Sequence, residues 1–594
     1  MSVVHETVEA GKLLLAGNEA VALAAAHAGV RMATGYPGTP STEVLQTLAE
    51  YGDRRIALGW APNEKVALEV GAGAAYAGAR ALVTMKHVGL NVAADPLVTS
   101  AYTGVRGGFV VVTADDPGMH SSQNEQDSRH YARLAGLPML EPSDSQEAYA
   151  LAREAFALSE RFETPVLLRM TTRVCHCKSL VEPAPPEELE RRYGFQRDIP
   201  RFVMVPGNAR KRRVVLEERL ARLRDYCEQT GLNRVHGDGA AAAFGVVAAG
   251  VASQYVRETA PGVPVLTLAT VWPLPLARIA EFQRQVGDLL VVEELGDFLL
   301  TEIRAAGIPA RGKAAPFRLG ELNPDRVRAI LEGTPEEPPP VPADLPPPRP
   351  PVLCPGCGHR SVFSVLKKLD LIVMGDIGCY SLGALPPLST LDTCLCMGAG
   401  VGLALGIERV ADEQEARRVV GVIGDSTFFH SGMTGVLDAV YNGSRGTLLV
   451  LDNRTTAMTG GQDHPGTGRR LDGTAAPQAD VAAVCRGLGV RDVRVIDPYD
   501  RAGLERALRE ATAGDRYSVI VCRRPCLLAE RPREVRRFVI DAEACRDCGA
   551  CLRTGCPALE PADGFVRISE ALCRGCGLCA EMCRFGAVRE VQCP

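Results

Sequence analysis

The segments RRVVGVIGDS (417–426) and TLLVLDN (447–453) decide the fold of the region around them. Each contains a continuous apolar run of the length of a buried strand and closes on polar residues. Buried runs that alternate with helical patterns are typical of a parallel α/β sheet. Asp425 and Asn453 then lie at the carboxyl ends of two strands, the edge at which open α/β sheets bind ligands.

The residue types at these strand ends suit a magnesium ion. The Asp425 carboxylate, the Asn453 amide oxygen and a nearby backbone carbonyl are hard ligands, and Mg²⁺ completes its octahedron with two diphosphate oxygens and a water. Taken alone, GDS followed 28 positions later by Asn is also compatible with an ordinary strand-end turn.

The α/β rhythm continues on both sides of a proline-rich stretch. It covers residues 12–180, with buried runs such as ARALVTM (79–85), and a second segment that ends near Leu331. Ten prolines between residues 335 and 351 indicate a stiff extended linker. We therefore predict separate domains before and after this linker.

Composition excludes several classes of partner. The net charge is −5 and no basic stripe is present, which argues against nucleic acid and anionic membranes as partners. No run approaches the 18 or more apolar residues of a membrane span, and the N-terminal stretch lacks the basic region of a secretory signal. We expect a cytoplasmic protein.

Nine of the 20 cysteines lie in the last 54 residues, and eight of them form two closely spaced runs. Three cysteines at two-residue intervals wrap one iron–sulfur cube, and the remote fourth cysteine of each run reaches the other cube. Paired structural zinc sites are the alternative, although these use CxxC knuckles. The predicted ligands of the first [4Fe–4S] cluster are Cys545, Cys548, Cys551 and Cys583, and those of the second are Cys573, Cys576, Cys579 and Cys556. Cys593 lies outside both patterns.

The Asp425 region resembles the diphosphate-binding domain of the thiamine diphosphate-dependent 2-oxoacid:ferredoxin oxidoreductases. The resemblance is carried by GDS, FFHSG (428–432), DNRTTAMTGGQDHPG (452–466) and CPGCGHR (354–360), with serine in place of the last motif glycine. It implies Asp425, Asn453 and the Thr455 carbonyl as magnesium ligands. It also implies Gly424, Ser426 and His359 as cofactor-binding residues.

A second stretch resembles the pyrimidine-binding domain of the same enzymes. Thiamine chemistry needs a carboxylic acid in a dry pocket at the aminopyrimidine N1′. Asn63-Glu64, followed by GAGAAYAGARA (71–81), matches that domain, so the resemblance implies Glu64 as the acid. Glu69 is the second candidate, and a solvated helix face is the alternative for either residue.

The loop GYPGTPSTE (35–43) resembles the family's YPITPSS substrate loop. By that resemblance Thr39 binds the 2-oxoacid carboxylate, and Gly38 widens the pocket. MKHVGLNVAADP (85–96) and DDPGMHSSQNEQDSR (115–129) are similar to one branch, the large (alpha) subunit of the indolepyruvate:ferredoxin oxidoreductases. His87 is then an active-site candidate, with a satisfied core histidine as the alternative.

The resemblance covers essentially the whole chain and implies its domain order and fold class. The class is α/β and multidomain, with doubly wound parallel-sheet domains that bind thiamine diphosphate and a C-terminal α+β two-cluster ferredoxin domain. The expected domains are a pyrimidine-binding domain (1–195), a transketolase C-terminal-like domain (196–334), the Pro-rich linker (335–352), a diphosphate-binding domain (353–535) and the ferredoxin domain (536–594).

Four cysteines of the diphosphate domain are candidates for a third cluster. Relatives that carry a cluster beside thiamine have similar CPGCG, GIGC and PC segments, and these correspond here to Cys354, Cys357, Cys379 and Cys526. Four thiols without metal, or a disulfide between Cys354 and Cys357, are the alternatives. Cys394 and Cys396 are interpreted as buried small side chains.

The resemblance implies a catalytic large subunit that oxidatively decarboxylates arylpyruvates: indolepyruvate, phenylpyruvate or 4-hydroxyphenylpyruvate. Through a thiamine ylid and enamine it forms aryl-acetyl-CoA and CO2, and it passes single electrons through [4Fe–4S] clusters to ferredoxin. The expected partners are a smaller beta subunit, in a heterotetramer with two large subunits, ferredoxin, the 2-oxoacid and coenzyme A as co-substrate. A non-oxidative decarboxylase or carboligase with a redox tail and a non-catalytic electron-transfer subunit are the alternatives.

Overall fold

A computed structural model shows that the chain forms two compact units, Met1–Val341 and Pro342–Pro594. The structure describes residues 7–9, 11–187, 189, 193–237, 243–336, 344–346, 350–530 and 536–591, and the side chains of all of these except 7–9. Most of the predicted proline-rich linker and Cys593 lie outside the described residues. No helix within these ranges has both the length and the apolar character needed to cross a membrane.

The first unit opens with a seven-stranded sheet that is parallel except at one edge. Its three central strands are buried along their whole length because helices cover both faces. In spatial order the strands are Thr270–Trp272, Met139–Leu140, Val166–Thr171, Phe109–Asp115, Ala81–Lys86, Met32–Gly35 and Ala57–Trp60. The helices are Gly17–His27, Thr42–Tyr51, Glu64–Tyr76, His87–Val92, Ala94–Thr103, Arg129–Ala135, Ser145–Phe162 and Thr172–His176. An antiparallel sheet of Thr7–Glu9, Lys12–Ala16 and Lys178–Val181 completes this part.

A five-stranded sheet forms the rest of the first unit. Its strands are parallel apart from the first, and in spatial order they are Arg234–His236, Val265–Leu268, Gly245–Ala249, Leu289–Val292 and Arg311–Gly312. Its helices are Ile199–Phe202, Pro206–Gln229, Val251–Thr259, Leu276–Val286, Phe298–Ala305 and Pro324–Glu332.

The two sheets of the first unit are joined by a strand pairing and by a buried ion pair. The strand Thr270–Trp272, which follows the second strand of the five-stranded sheet, pairs antiparallel with Met139–Leu140 of the larger sheet. The fully buried Arg129 also binds Asp127 at 2.6 Å and Glu293 at 2.7 Å. Because a buried ion pair loses much when one partner leaves, these contacts hold the two sheets together.

The second unit contains a six-stranded, wholly parallel sheet. In spatial order its strands are Thr393–Cys394, Ile372–Gly375, Val419–Gly424, Thr447–Asp452, Ser518–Arg523 and Asp492–Ile496. Its helices are Gly358–Lys368, Ala399–Val410, Glu413–Ala416, Asp425–Thr427, Met433–Tyr441, Val481–Gly487 and Arg501–Ala513. The strands predicted from continuous apolar runs are all present here.

The cysteine-rich tail folds as a small α+β domain. Arg537–Ile540 pairs with Val588–Val591, Leu559–Ala562 pairs with Phe565–Ile568, and one helix spans Leu578–Met582. Its small apolar core includes Cys551, and two other predicted ligands, Cys556 and Cys579, pack against that core. The predicted fold class, α/β with parallel sheets and a C-terminal α+β domain, is confirmed.

Candidate functional site

Asp425 and Asn453 lie at the same edge of the six-stranded sheet. Gly424 pairs with Leu451 in neighbouring parallel strands, so the residues that follow emerge side by side. Asp425 is 2% exposed; its Oδ1 accepts a hydrogen bond from the Ser426 amide at 2.9 Å, and its Oδ2 accepts one from the Arg454 amide at 2.7 Å. The expectation that both polar residues end adjacent strands is confirmed.

The three predicted magnesium ligands converge. One terminal atom of the Asn453 amide lies 2.8 Å from the Thr455 carbonyl oxygen and 3.2 Å from Asp425 Oδ1. As a nitrogen it donates to both; as an oxygen it is the apex of a triangle with the other two oxygens. With Mg–O bonds of about 2.1 Å, neighbouring oxygens of an octahedron lie about 3 Å apart, so the two sides that meet at this apex fit a magnesium ion. Arg454 has a positive φ of 56° and turns the chain between Asn453 and Thr455.

Ser426 stands where the family motif has glycine, and the structure accommodates it. Its hydroxyl accepts a hydrogen bond from Thr456 Oγ1 at 3.0 Å, and the side chain is 7% exposed. Gly424 has less freedom, since a Cβ there would lie 2.8 Å from the Tyr380 ring. The close approach of the Tyr380 ring therefore explains why position 424 is a glycine. It does not require a glycine at position 426.

Two buried histidines flank the Asp425 carboxylate. Burial lowers the pKa of His359 to about 4, against the opposing effect of Asp425, so this imidazole is neutral near pH 7. His464 was not predicted as a site residue: its Nε2 lies 3.3 Å from Asp425 Oδ2 and has no hydrogen-bond partner among the described residues. Its Nδ1 accepts from the Gly466 amide at 3.1 Å. The only sequence signal was its place in the DNRTTAMTGGQDHPG stretch.

The four cysteines of the predicted third cluster line one cavity. Cys354, Cys357, Cys379 and Cys526 share it with His359 and Asn453. Burial raises the pKa of the Cys357 thiol to about 12 and that of Cys379 to about 11, and all four are free thiols without a disulfide. The structure thus places the thiol set and the diphosphate motif on the same cavity.

The tail brings together the predicted ligands of the second cluster. Cys556, Cys573, Cys576 and Cys579 line a second cavity, so the remote cysteine of the first run does meet the second run. Burial raises the pKa of the Cys551 thiol, and the nearby thiols of Cys545 and Cys583 raise it further. Across the described residues, no three His, Cys, Asp or Glu side chains are arranged to hold a single metal ion.

Two further cysteine predictions have different outcomes. Cys394 and Cys396 were interpreted as buried, and this is wrong: both are exposed. Thr393–Cys394 is a two-residue strand at the edge of the sheet, so no outer neighbour covers it. Cys593 lies outside the described residues.

Glu64 occupies a buried position at the start of a helix in the first unit. Asn63 caps the helix Glu64–Tyr76 by accepting from the Val66 amide at 2.9 Å, and Glu64 is 5% exposed. Its carboxyl group packs on Gly89, where a Cβ would lie 2.6 Å from Glu64 Oε1. The second candidate, Glu69, is exposed on the same helix and pairs with Lys65.

The other predicted residues of the first unit surround a buried lysine that sequence reasoning missed. Lys86 ends the strand Ala81–Lys86, is 8% exposed, and donates to the Ser121 carbonyl at 2.8 Å and its hydroxyl at 3.2 Å. A Cβ on Gly38 would lie 3.1 Å from Lys86 Cβ, and the Ser121 hydroxyl donates to the Thr39 carbonyl at 3.4 Å. Burial lowers the pKa of Lys86 to about 8, with Asp116 opposing.

His87 follows Lys86 and is fully buried. Its Nε2 lies 3.3 Å from Asn124 Oδ1, and its Nδ1 has no hydrogen-bond partner among the described residues. We call Gly38, Thr39, Glu64, Lys86 and His87 the N-terminal polar cluster. Its lysine carries no sequence signal beyond a charged residue at the end of an apolar strand.

Three segments match known families. Residues 23–213 match the family described as pyruvate flavodoxin/ferredoxin oxidoreductase, thiamine diP-bdg. Residues 376–522 match the thiamine pyrophosphate enzyme, C-terminal TPP binding domain, and residues 566–589 match the 4Fe-4S binding domain.

Similar proteins match over nearly their whole length. Indolepyruvate oxidoreductase subunit IorA of Methanothermobacter thermautotrophicus is 41% identical, and that of Archaeoglobus fulgidus is 39% identical, each over 98% of both chains. A solved 2-oxoglutarate:ferredoxin oxidoreductase from Magnetococcus marinus has 17% identity and a TM-score of 0.47, covering 54% of this chain and 65% of its own.

Proposed function

Because the chain belongs to the indolepyruvate oxidoreductase subunit IorA family, we propose that it oxidatively decarboxylates arylpyruvates to aryl-acetyl-CoA and CO2. It is the large subunit of a thiamine diphosphate-dependent 2-oxoacid:ferredoxin oxidoreductase. The observation that carries the proposal is the cavity shared by His359, Asn453 and four cysteines, since an oxidative reaction needs an electron acceptor beside the cofactor.

The chain's residues supply binding, orientation and proton handling. When bound, thiamine diphosphate supplies the nucleophilic carbon and the electron sink for the loss of CO2. Asp425, Asn453 and the Thr455 carbonyl would hold the magnesium ion, which would supply positive charge for binding the diphosphate. Glu64, dry against Gly89, holds a proton at the aminopyrimidine N1′.

The rest of the N-terminal polar cluster positions the substrate. Lys86 lies beside the Gly38–Thr39 loop, so its ammonium and the Thr39 hydroxyl bind the carboxylate of the 2-oxoacid. Gly38 leaves space against the lysine stem for a large side chain. His87, buried next to Lys86 with one ring nitrogen available, donates or accepts a hydrogen bond at the reacting end of the substrate.

The cysteines carry electrons away. Cys354, Cys357, Cys379 and Cys526 would hold one [4Fe–4S] cluster near the diphosphate motif, and the tail cysteines would hold two more; such clusters would supply one-electron transfer to ferredoxin. A smaller beta subunit completes a cytoplasmic heterotetramer with two large subunits, and coenzyme A takes the acyl group. Cys548, in the first run, is exposed, which supports electron transfer to ferredoxin from the cluster of that run.

The test is anaerobic reduction of ferredoxin by the chain together with its small subunit. Indolepyruvate, phenylpyruvate and 4-hydroxyphenylpyruvate are compared with and without coenzyme A. We expect reduction that requires coenzyme A, a loss of about 100-fold or more in Glu64→Gln, and wild-type rates in the matched control Glu69→Gln. Release of aldehyde without coenzyme A would indicate a non-oxidative decarboxylase. Failure to bind thiamine diphosphate, or full activity of Glu64→Gln, would indicate an electron-transfer subunit.

A further inference from the structure

Arg360 is a buried cation at the start of the helix Gly358–Lys368. It is 2% exposed; Nη1 donates to the Thr554 carbonyl at 2.7 Å and Nη2 donates to the Leu353 carbonyl. Its Nε is buried without a hydrogen-bond partner among the described residues. The side chain thus connects the parallel-sheet region to the cysteine-rich tail through neutral acceptors.

Arg360 has no anionic partner among the carboxylates. Over the part of the chain that the structure describes, its guanidinium forms hydrogen bonds to backbone carbonyls alone and no ion pair with Asp or Glu. Arg501, also buried in this unit, binds the Glu581 carboxylate. An uncompensated buried charge is unfavourable, so an anionic group other than a carboxylate would stabilise Arg360.

The groups around Arg360 are cysteines from both candidate cavities. Its side chain lines the cavity of Cys556, Cys573, Cys576 and Cys579, while the residues just before it line the cavity of Cys354, Cys357, Cys379 and Cys526. Burial lowers the pKa of its guanidinium, and the thiols of Cys556, Cys357, Cys576 and Cys354 oppose that effect. One positive charge therefore lines the cavity of the tail cysteines, and its residue follows Cys357 of the other set by one helical turn, with the Arg360 amide donating to the Cys357 carbonyl at 3.2 Å.

We propose that Arg360 is the shared counter-cation of two [4Fe–4S] clusters, one in each of these cavities, and that it raises the reduction potentials of both. This rests on the proposed function for the presence of the clusters. Cluster charge and hydrogen bonding set the reduction potential, and a buried positive charge stabilises the form that holds the extra electron. When one electron passes from the first cluster to the second, the first is oxidised and the second reduced, and no bond breaks. Because Arg360 raises the reduction potentials of both clusters, the electron is not held much more strongly at one cluster than at the other.

The test is a redox titration of the full-length holoprotein, followed by the paramagnetic signal of the reduced clusters at low temperature. Arg360→Gln removes the charge but keeps a hydrogen-bonding side chain. We expect the reduced-to-oxidised ratio of both clusters in this variant to fall at least tenfold at a fixed potential. For a one-electron couple this corresponds to a reduction potential lowered by about 59 mV. Arg360→Lys keeps the charge and should stay near wild type. Arg574→Gln is the matched control, because Arg574 lines the same cavity but is exposed.

Iron content separates this proposal from the proposed function. About twelve irons per chain indicate three clusters, and about eight remove the first cavity's cluster from the proposed function. If about eight irons are present and Arg360→Gln shifts the potential of the Cys556 cluster alone, the shared role of Arg360 is overturned. Potentials equal to those of Arg574→Gln at full iron content also overturn it. If Arg360→Gln does not fold, Arg360→Lys decides: wild-type potentials support the proposal, and a reduced-to-oxidised ratio lowered tenfold or more at a fixed potential overturns it.

Discussion

Replacing Gly89 by alanine tests whether the burial of Glu64 serves catalysis. The new Cβ would lie 2.6 Å from both Glu64 Cγ and Oε1 and 2.8 Å from Cδ. Ordinary contact between such atoms is about 3.5–4.0 Å, so the carboxyl group must move by about 1 Å. A misplacement of that size in a catalytic group costs about 100-fold in rate.

The stability of the same variant is expected to change little. Alanine gains about 1 kcal/mol over glycine in a helix interior, and Gly89 lies within the helix His87–Val92. Overpacking of the buried site costs about 1–3 kcal/mol. The free energy of unfolding should therefore fall by no more than about 2 kcal/mol, which leaves a folded protein with impaired turnover.

The assay is ferredoxin reduction with indolepyruvate, coenzyme A and the small subunit, together with denaturant unfolding of the chain. Gly207→Ala is the control, because that glycine lies in the helix Pro206–Gln229 and a Cβ there meets nothing within 4 Å. We expect the control to keep wild-type turnover. Turnover of Gly89→Ala within twofold of wild type, at normal stability, would refute the role assigned to the Glu64 carboxyl group.

Three further predictions address the remaining parts of the site. Asp425→Asn removes the only charged magnesium ligand of the triangle, and we expect thiamine diphosphate affinity, measured by calorimetry with Mg²⁺, to fall at least tenfold; unchanged affinity would contradict the magnesium assignment. Lys86→Met should raise the KM for the arylpyruvate at least tenfold, and wild-type KM should rise with pH above about 8 as the ammonium loses its proton; Lys65→Met is the exposed control. Cys379→Ser should lower the iron content from about twelve to about eight per chain, and Cys394→Ser should leave it unchanged; equal iron in both would rule out the third cluster.

The sequence was sufficient for the elements that carry the cofactor motifs. Continuous apolar runs predicted Val419–Gly424 and Thr447–Asp452, because strands buried on both faces need apolar residues at every position. The topology of parallel sheets then brought Asp425 and Asn453 to one edge. Each of these inferences depends on a local pattern, and that is why it could be made from one chain.

Features that depend on long-range contact could not be predicted. The strand Thr270–Trp272 has only three residues and pairs with Met139–Leu140, more than a hundred positions earlier, so no local periodicity marks it. Lys86 is a charged residue, and charged residues are rarely buried. Its enclosure by the Gly38 loop and Ser121 follows from the fold alone.

The buried arginines of this protein differ in the groups that surround their charge. Arg129 and Arg169 are fully buried in the first unit, and each binds carboxylates at 2.6–2.7 Å, which satisfies their charge within the chain. Burying such an ion pair costs desolvation free energy, but its two charges balance each other, so it needs no bound ligand. Arg360 is buried to nearly the same degree and faces thiols instead. Neutral thiols do not balance a guanidinium, whereas thiolate-bound iron–sulfur clusters carry the negative charge that it lacks. Arg219 is likewise buried and donates to the Ala101 carbonyl at 2.7 Å, so the argument for clusters at Arg360 rests on the surrounding cysteines and not on the missing carboxylate alone.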